Sequence, residues 1–147
     1  QPVDKHSQTI LTDRIKLILD YCQRFYDRQF IIRHKENSDI LSAFERNIKD
    51  YFEQGLAVRG GLPSVAYFAD KACLSSGYFG DLIRKETGMT AQYYIQQHIL
   101  ALSKQLLLDP SQSISQIADR LGFQYPQHFS RFFKKFAGMT PKEYREK

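Results

Sequence analysis

The stretch Ser113–Arg145, SISQIADRLGFQYPQHFSRFFKKFAGMTPKEYR, decides how the rest of the chain is read. Ile114, Ile117, Ala118 and Leu121 recur at helical spacing and form one apolar face. Ser113 with Gln116 three positions on is a capping box, which sets where that helix begins. Gly122 closes it. Pro126 stands where a second helix should open, because its missing N–H would be unpaired in a first turn anyway. Phe129, Phe132, Phe133 and Phe136 give this second helix an inner face, and Gly138 ends it. Its outer face carries Gln127, His128, Ser130, Arg131, Lys134 and Lys135. That face has nothing apolar to bury and is rich in the donors that phosphates and base edges accept from.

The same pattern occurs earlier in the chain. At an offset of 49, Ala69-Asp70 matches Ala118-Asp119. At an offset of 50, Phe79 matches Phe129, Lys85 matches Lys135, Gly88-Met89-Thr90 matches Gly138-Met139-Thr140, and Tyr94 matches Tyr144. One residue has been inserted in the turn. The first copy opens with Val65, Phe68, Ala69 and Ala72 on one face. Ser75 is then a good N-cap for a helix running to Thr87, with Gly88 as its stop. Between the copies, Ala91 to Leu108 reads as one helix with Tyr94, Ile95, Ile99, Leu102, Leu106 and Leu107 on a wide apolar face. Asp109-Pro110 stops it, since the residue before a proline avoids the helical region. Such a strut is about 27 Å long at 1.5 Å per residue. Successive major grooves on one side of a duplex lie roughly 34 Å apart, so it can set two helices in adjacent grooves.

Ile117, Ala118, Gly122, Phe123, His128, Phe129, Ser130, Arg131, Phe133, Lys134, Gly138, Pro141 and Tyr144 together resemble the DNA-binding domain of AraC/XylS-type bacterial transcription regulators. The resemblance runs back to about Leu62 and more loosely beyond it. It implies a helix-turn-helix whose second helix enters the major groove, in a protein that binds a promoter and contacts RNA polymerase. It also implies which positions approach base edges: Gln127, Ser130 and Arg131 in the second module, and their counterparts Gly77, Gly80 and Asp81 in the first. Gln suits adenine and Arg suits guanine, whereas Asp81 can accept from cytosine N4 but also repels phosphate. The first module therefore reads as a positioning unit that works through Arg84, Lys85 and backbone N–H groups, with the two glycines allowing close approach and the role of Asp81 open. His128 reads as a structural or phosphate-contacting residue. The chain departs from the family at Ile99, where an arginine often stands.

Upstream, residues 1–8 are polar and expected to fray. From about Thr9 to Phe30, Leu11, Ile15, Ile18, Cys22 and Phe25 fall on one helical stripe. Arg33 to Asn37 reads as a charged connection. A second helix follows over about 39–54, with Leu41, Phe44, Ile48 and Tyr51/Phe52 inside and Gly55 as a stop. The pair is either a hairpin that covers the domain behind it or a dimerisation or signalling arm at the end of a sensor domain; periodicity does not choose. Arg59-Gly60-Gly61 reads as a flexible joint and the best boundary. The expected organisation is all-α: residues 1–58 as a helical extension and 59–147 as the two-module domain, with modules at about 62–90 and 113–147 and the linker helix at about 91–108.

Charge is segregated along the chain. Residues 1–60 hold ten Lys/Arg against nine Asp/Glu, a net of +1; residues 61–113 hold four of each; residues 114–147 hold seven against three, a net of +4. Most of the total of +5 thus lies in residues 114–147. No run approaches the ~18 apolar residues of a membrane span, and no leader peptide is visible. The chain starts at Gln1 rather than Met, as a fragment or processed chain would. Cys22 and Cys73 lie far apart without metal-ligand spacing, which suits a reducing cytoplasm with both as small buried hydrophobes. His6, His34, His98 and His128 are scattered and make no metal site. No nucleophile elbow, P-loop or glycine-rich nucleotide fingerprint is present, so neither an enzyme nor a cofactor is expected. Tyr67, Tyr78, Tyr93 and Tyr94 follow helical spacing and read as packing residues rather than a platform for single strands. The rival from another class is a helical module whose basic face binds an acidic protein partner.

Overall fold

The computed structural model describes residues 4–147, and every regular element among them is a helix. The order is α1 (Lys5–Glu53), α2 (Leu56–Gly60), α3 (Val65–Lys71), α4 (Ser76–Thr87), α5 (Ala91–Leu107), α6 (Ile114–Leu121), α7 (Pro126–Ala137) and α8 (Pro141–Glu146). The chain divides into two units, Gln1–Asp39 and Ile40–Lys147.

The upstream region departs from the expectation. One helix of 49 residues stands where a pair with a connection at 33–37 was expected. No Gly or Pro occurs between Lys5 and Glu53, and a charged run such as Arg33-His34-Lys35-Glu36 is compatible with a helix. The fraying expected of residues 1–8 falls partly outside the described residues; from Lys5 the chain is helical. Within the first unit the stripe is bare: Leu11, Ile15, Ile18 and Phe25 are each at least half exposed. Cys22 is exposed there as well, and so is Cys73, so neither is the buried hydrophobe expected. A hydrophobic spacing marks which side of a helix is apolar, not whether anything covers it.

The second unit has one core, to which α1 contributes its last turns. Phe44, Ile48, Tyr51 and Phe52 are buried. Phe44 meets Phe68 of α3 at 5.2 Å between ring centroids, Phe79 of α4 at 5.0 Å and Tyr94 of α5 at 5.3 Å. Such offset and edge-to-face pairs add to the area that the rings bury. The Tyr94 hydroxyl donates to a Glu45 carboxylate oxygen. Burial first, and then this bond to a carboxylate, push the Tyr94 phenol up to about 12. α5 buries Ile95, Ile99, Leu100, Leu106 and Leu107, and Ser103 satisfies its own buried hydroxyl by donating to Ile99 O at 2.6 Å. The helix ends at Leu107, and Arg145 closes it from α8, Nε donating to Leu107 O at 3.2 Å and Nη2 to Asp109 O at 3.4 Å.

The expected flexible joint is packed instead. Residues 56–60 form α2, Ala57 is buried, and Tyr51 Oη donates to Gly61 O at 2.8 Å. Gly61 lies directly against Gly122: a Cβ on Gly122 would stand 2.6 Å from Gly61 C. A Gly-Gly pair weakens local preference, but it also lets two backbones touch, and here the close approach wins.

Candidate nucleic-acid interface

The two copies of the sequence repeat fold into the same unit. α3–α4 and α6–α7 are each a short helix, a tight turn and a 12-residue helix. In the first turn Leu74 N donates to Ala69 O at 3.0 Å; in the second Phe123 N donates to Ala118 O at 3.0 Å. Cys73 (φ 57) and Gly122 (φ 91) hold equivalent left-handed positions. The capping residues recur too: Ser75 accepts from Tyr78 N, Ser113 and Gln116 make the expected box, and Thr90 and Thr140 cap the helices that follow Gly88 and Gly138.

α7 separates its faces sharply. Phe129 and Phe133 are fully buried against Phe123 and Tyr144, while Phe132 and Phe136 are half-buried. On the other side Gln127, His128, Arg131, Lys134 and Lys135 are exposed, and Ser130 is half-buried. Arg131 makes no hydrogen bond or ion pair among the described residues. Lys135 Nζ lies over the Phe136 ring, 5.3 Å from its centre, a cation–π contact at the surface of α7. Lys134 lies near Glu143, whose carboxylate is held below its usual range by hydrogen bonds from Thr140 and, more weakly, by the Lys134 charge.

α4 presents a different surface from the same scaffold. Phe79, Leu82 and Ile83 are its buried side. Gly77, Asp81, Arg84 and Lys85 are exposed and Gly80 is half-buried. Nothing lies within 4 Å of where a Cβ would stand on Gly77 or Gly80. The packing of the fold therefore does not require glycine at either position. Ile99, where the family often has arginine, is buried in α5 and offers no polar contact.

Of the four tyrosines expected to pack, Tyr67 and Tyr94 do so, half-buried against the core. Tyr78, 59% exposed in the opening turn of α4, and Tyr93, exposed too, depart from that expectation. Tyr125, which the sequence pattern did not single out, is the N-cap of α7. It is 52% exposed, caps nothing with its side chain, and meets His128 edge-on at 5.4 Å. A signal exists for Tyr78, which the 50-residue offset pairs with the solvent-facing His128.

A helix-turn-helix domain family model matches residues 68–147, more than half of the chain. The chain belongs to the AraC/XylS family of transcription regulators. As an AraC-type chain it is 34% identical over 108 residues to the HTH-type transcriptional activator RhaR of Yersinia pseudotuberculosis. That match covers 74% of this chain and 33% of RhaR, so the chain spans about a third of the length of such relatives. The C-terminal domain of the two-component response regulator yesN from Fusobacterium nucleatum is similar in structure, with a TM-score of 0.59 and 30% identity over 69% of this chain and 96% of that domain. The DNA-binding domain of AdpA, solved in complex with a target DNA, shares the fold at a TM-score of 0.55 and 22% identity, covering 75% of this chain and 89% of that one. The AraC-type pattern read from Ser113–Arg145 thus matches in sequence and in fold.

Proposed function

We propose that this chain is the DNA-binding end of a sequence-specific, promoter-binding transcription activator. The observation that carries this reading is the twofold occurrence of one helix-turn-helix, with α7 offering unpartnered Arg131 beside Gln127 on a face that buries nothing. In this reading residues 59–147 are the DNA-binding domain and residues 1–58 continue from a sensor domain. α4 and α7 enter adjacent major grooves. Gln127, Ser130 and Arg131 read bases; His128, Lys134, Lys135, Arg84 and Lys85 hold phosphates; Gly77, Gly80 and Asp81 bring the first module close. The protein acts at the bacterial nucleoid in the cytoplasm, contacts RNA polymerase, and meets a second copy through residues 9–54.

The test is a panel of single-base variants of a selected operator. Arg131→Ala should lose discrimination at one base pair by about 1–3 kcal/mol while non-specific affinity stays near its original level. Binding should weaken steeply with salt, with a slope of roughly 5–8 neutralised phosphates. Salt-insensitive association with an acidic protein, and no competition by duplex DNA, would instead support the protein-interaction reading. An unchanged ranking of sites in Arg131→Ala, or a larger change in Asp81→Ala, would remove α7 from the role of main reader.

A further inference from the structure

The helices from α3 to α8 each begin at a cap residue, and all but one of these caps follow one rule. Ser64, Ser75, Thr90, Ser113 and Thr140 stand before α3, α4, α5, α6 and α8, and the side chain of each accepts the backbone N–H three residues on. Tyr125 stands in that place before α7, on the same extended backbone, and its side chain accepts nothing. The His128 N–H that a serine would take falls back on the Tyr125 carbonyl at 3.1 Å. In the first module the equivalent residue is Ser75, which does cap, so the turn itself does not call for a tyrosine. A side chain whose oxygen cannot reach back to the first turn holds a helix less firmly than Ser, Thr, Asp or Asn. The ring gains nothing from the core in return. It is 52% exposed and meets the His128 ring edge-on at 5.4 Å. Its hydroxyl makes no hydrogen bond among the described residues. A residue that breaks a local rule with no gain inside the chain marks a place where the fold gives way to function.

We infer that Tyr125 is a phosphate-contacting residue: braced by His128, its ring presents the phenol hydroxyl to the DNA backbone at the N-terminal end of α7. This rests on the reading of α7 as a helix that enters a major groove. Tyrosine is among the side chains that donate to phosphate oxygens. Its hydroxyl sits at the far end of a rigid ring, so it reaches beyond the helix end, where a serine would fold back onto the first turn. An aspartate would cap α7 but repel phosphate. His128, in contact with the ring and exposed itself, holds a phosphate in the same reading, so the two residues form one edge. The first module is built the other way round. It keeps its cap at Ser75 and carries its exposed tyrosine three residues later, at Tyr78.

The full chain with Tyr125→Phe or Tyr125→Ser tests this on an operator duplex selected with the unmodified chain. Tyr125→Phe keeps the ring and removes only the hydroxyl, so affinity should fall about tenfold. The fall should be the same on every single-base variant of the duplex, because a phosphate contact carries no base information. The salt slope should stay as it was, since an uncharged donor displaces no counterion, whereas Lys134→Ala should lower it by about 0.9. Tyr125→Ser should lose at least as much affinity while its melting temperature rises by roughly 2–4 °C, the effect of a restored cap. Unchanged affinity in Tyr125→Phe, a changed ranking of the single-base variants, or a lowered salt slope in that chain would each overturn the inference. A Tyr125→Ser chain that melts no higher would overturn it as well, because the tyrosine would then serve the fold. The reading as a DNA-binding protein is judged separately, by whether the unmodified chain binds duplex DNA at all.

Discussion

Replacing Gly77 and Gly80 by alanine should raise the stability of the chain and lower its affinity for DNA. Both residues lie in α4 with ordinary helical backbone, and an added methyl on either meets no atom within 4 Å. In a helix interior glycine costs about 0.5–1 kcal/mol relative to alanine, because its backbone gives up more freedom on folding. Gly80 lies past the first turn and should return most of that; Gly77, near the N-cap, should return less. A combined gain of about 1 kcal/mol corresponds to roughly 4 °C in melting temperature for a domain of this size. On the DNA side the two methyls would stand on the exposed face, one turn apart and in line with Arg84. If α4 presents its backbone closely to the duplex, they hold it off, and each phosphate that α4 no longer neutralises lowers the salt slope by about 0.9. A tenfold weakening, about 1.4 kcal/mol, is the expected scale. Melting followed by circular dichroism and fluorescence anisotropy on an operator duplex measure the two effects on one preparation. A higher melting temperature with unchanged or tighter DNA binding would refute close approach by α4. A lower melting temperature would mean that the space around the two glycines is not free to take a methyl.

Gly122→Ala should do the opposite and destabilise the fold by more than about 2 kcal/mol, read as a large drop in denaturant midpoint. Cys73 tolerates the same left-handed backbone with a side chain, so the demand at Gly122 comes mainly from the Gly61 and Leu62 backbone within 3 Å of its missing Cβ. His98, half-buried and stacked on Phe52 in a cleft of about 240 Å³ lined also by Lys49, Glu53 and Arg120, has its pKa lowered by burial. The unfolded chain therefore takes up a proton there first, and stability should fall as pH drops below about 6.5. His98→Gln should flatten that part of the melting-temperature profile. Arg145→Ala removes the side chain that closes α5 and should cost about 1 kcal/mol in chemical unfolding.

Much of this protein is legible in Ser113–Arg145 and its repeat. Caps, glycine stops and helical periods act over a few residues, so they survive in a linear reading. The capping box at Ser113, Pro126 at the start of α7 and the left-handed Gly88, Gly122 and Gly138 all appear in the structure. The polar face of α7 is legible for the same reason, because buried phenylalanines on one side dictate what lies on the other. Tertiary packing decided the rest. Whether α1 broke at Arg33–Asn37 depended on a balance too small for local preference to settle, and no Gly or Pro forced the break. Whether Gly60-Gly61 was loose or packed depended on Gly122, some sixty residues on, reaching the same point in space. Whether the α1 stripe and the two cysteines were covered depended on which surfaces found partners. Phe44 and Ile48 found the core of the second unit, whereas Leu11 to Phe25 carry the same period and remain exposed, because periodicity records a face and only packing in three dimensions supplies what covers it.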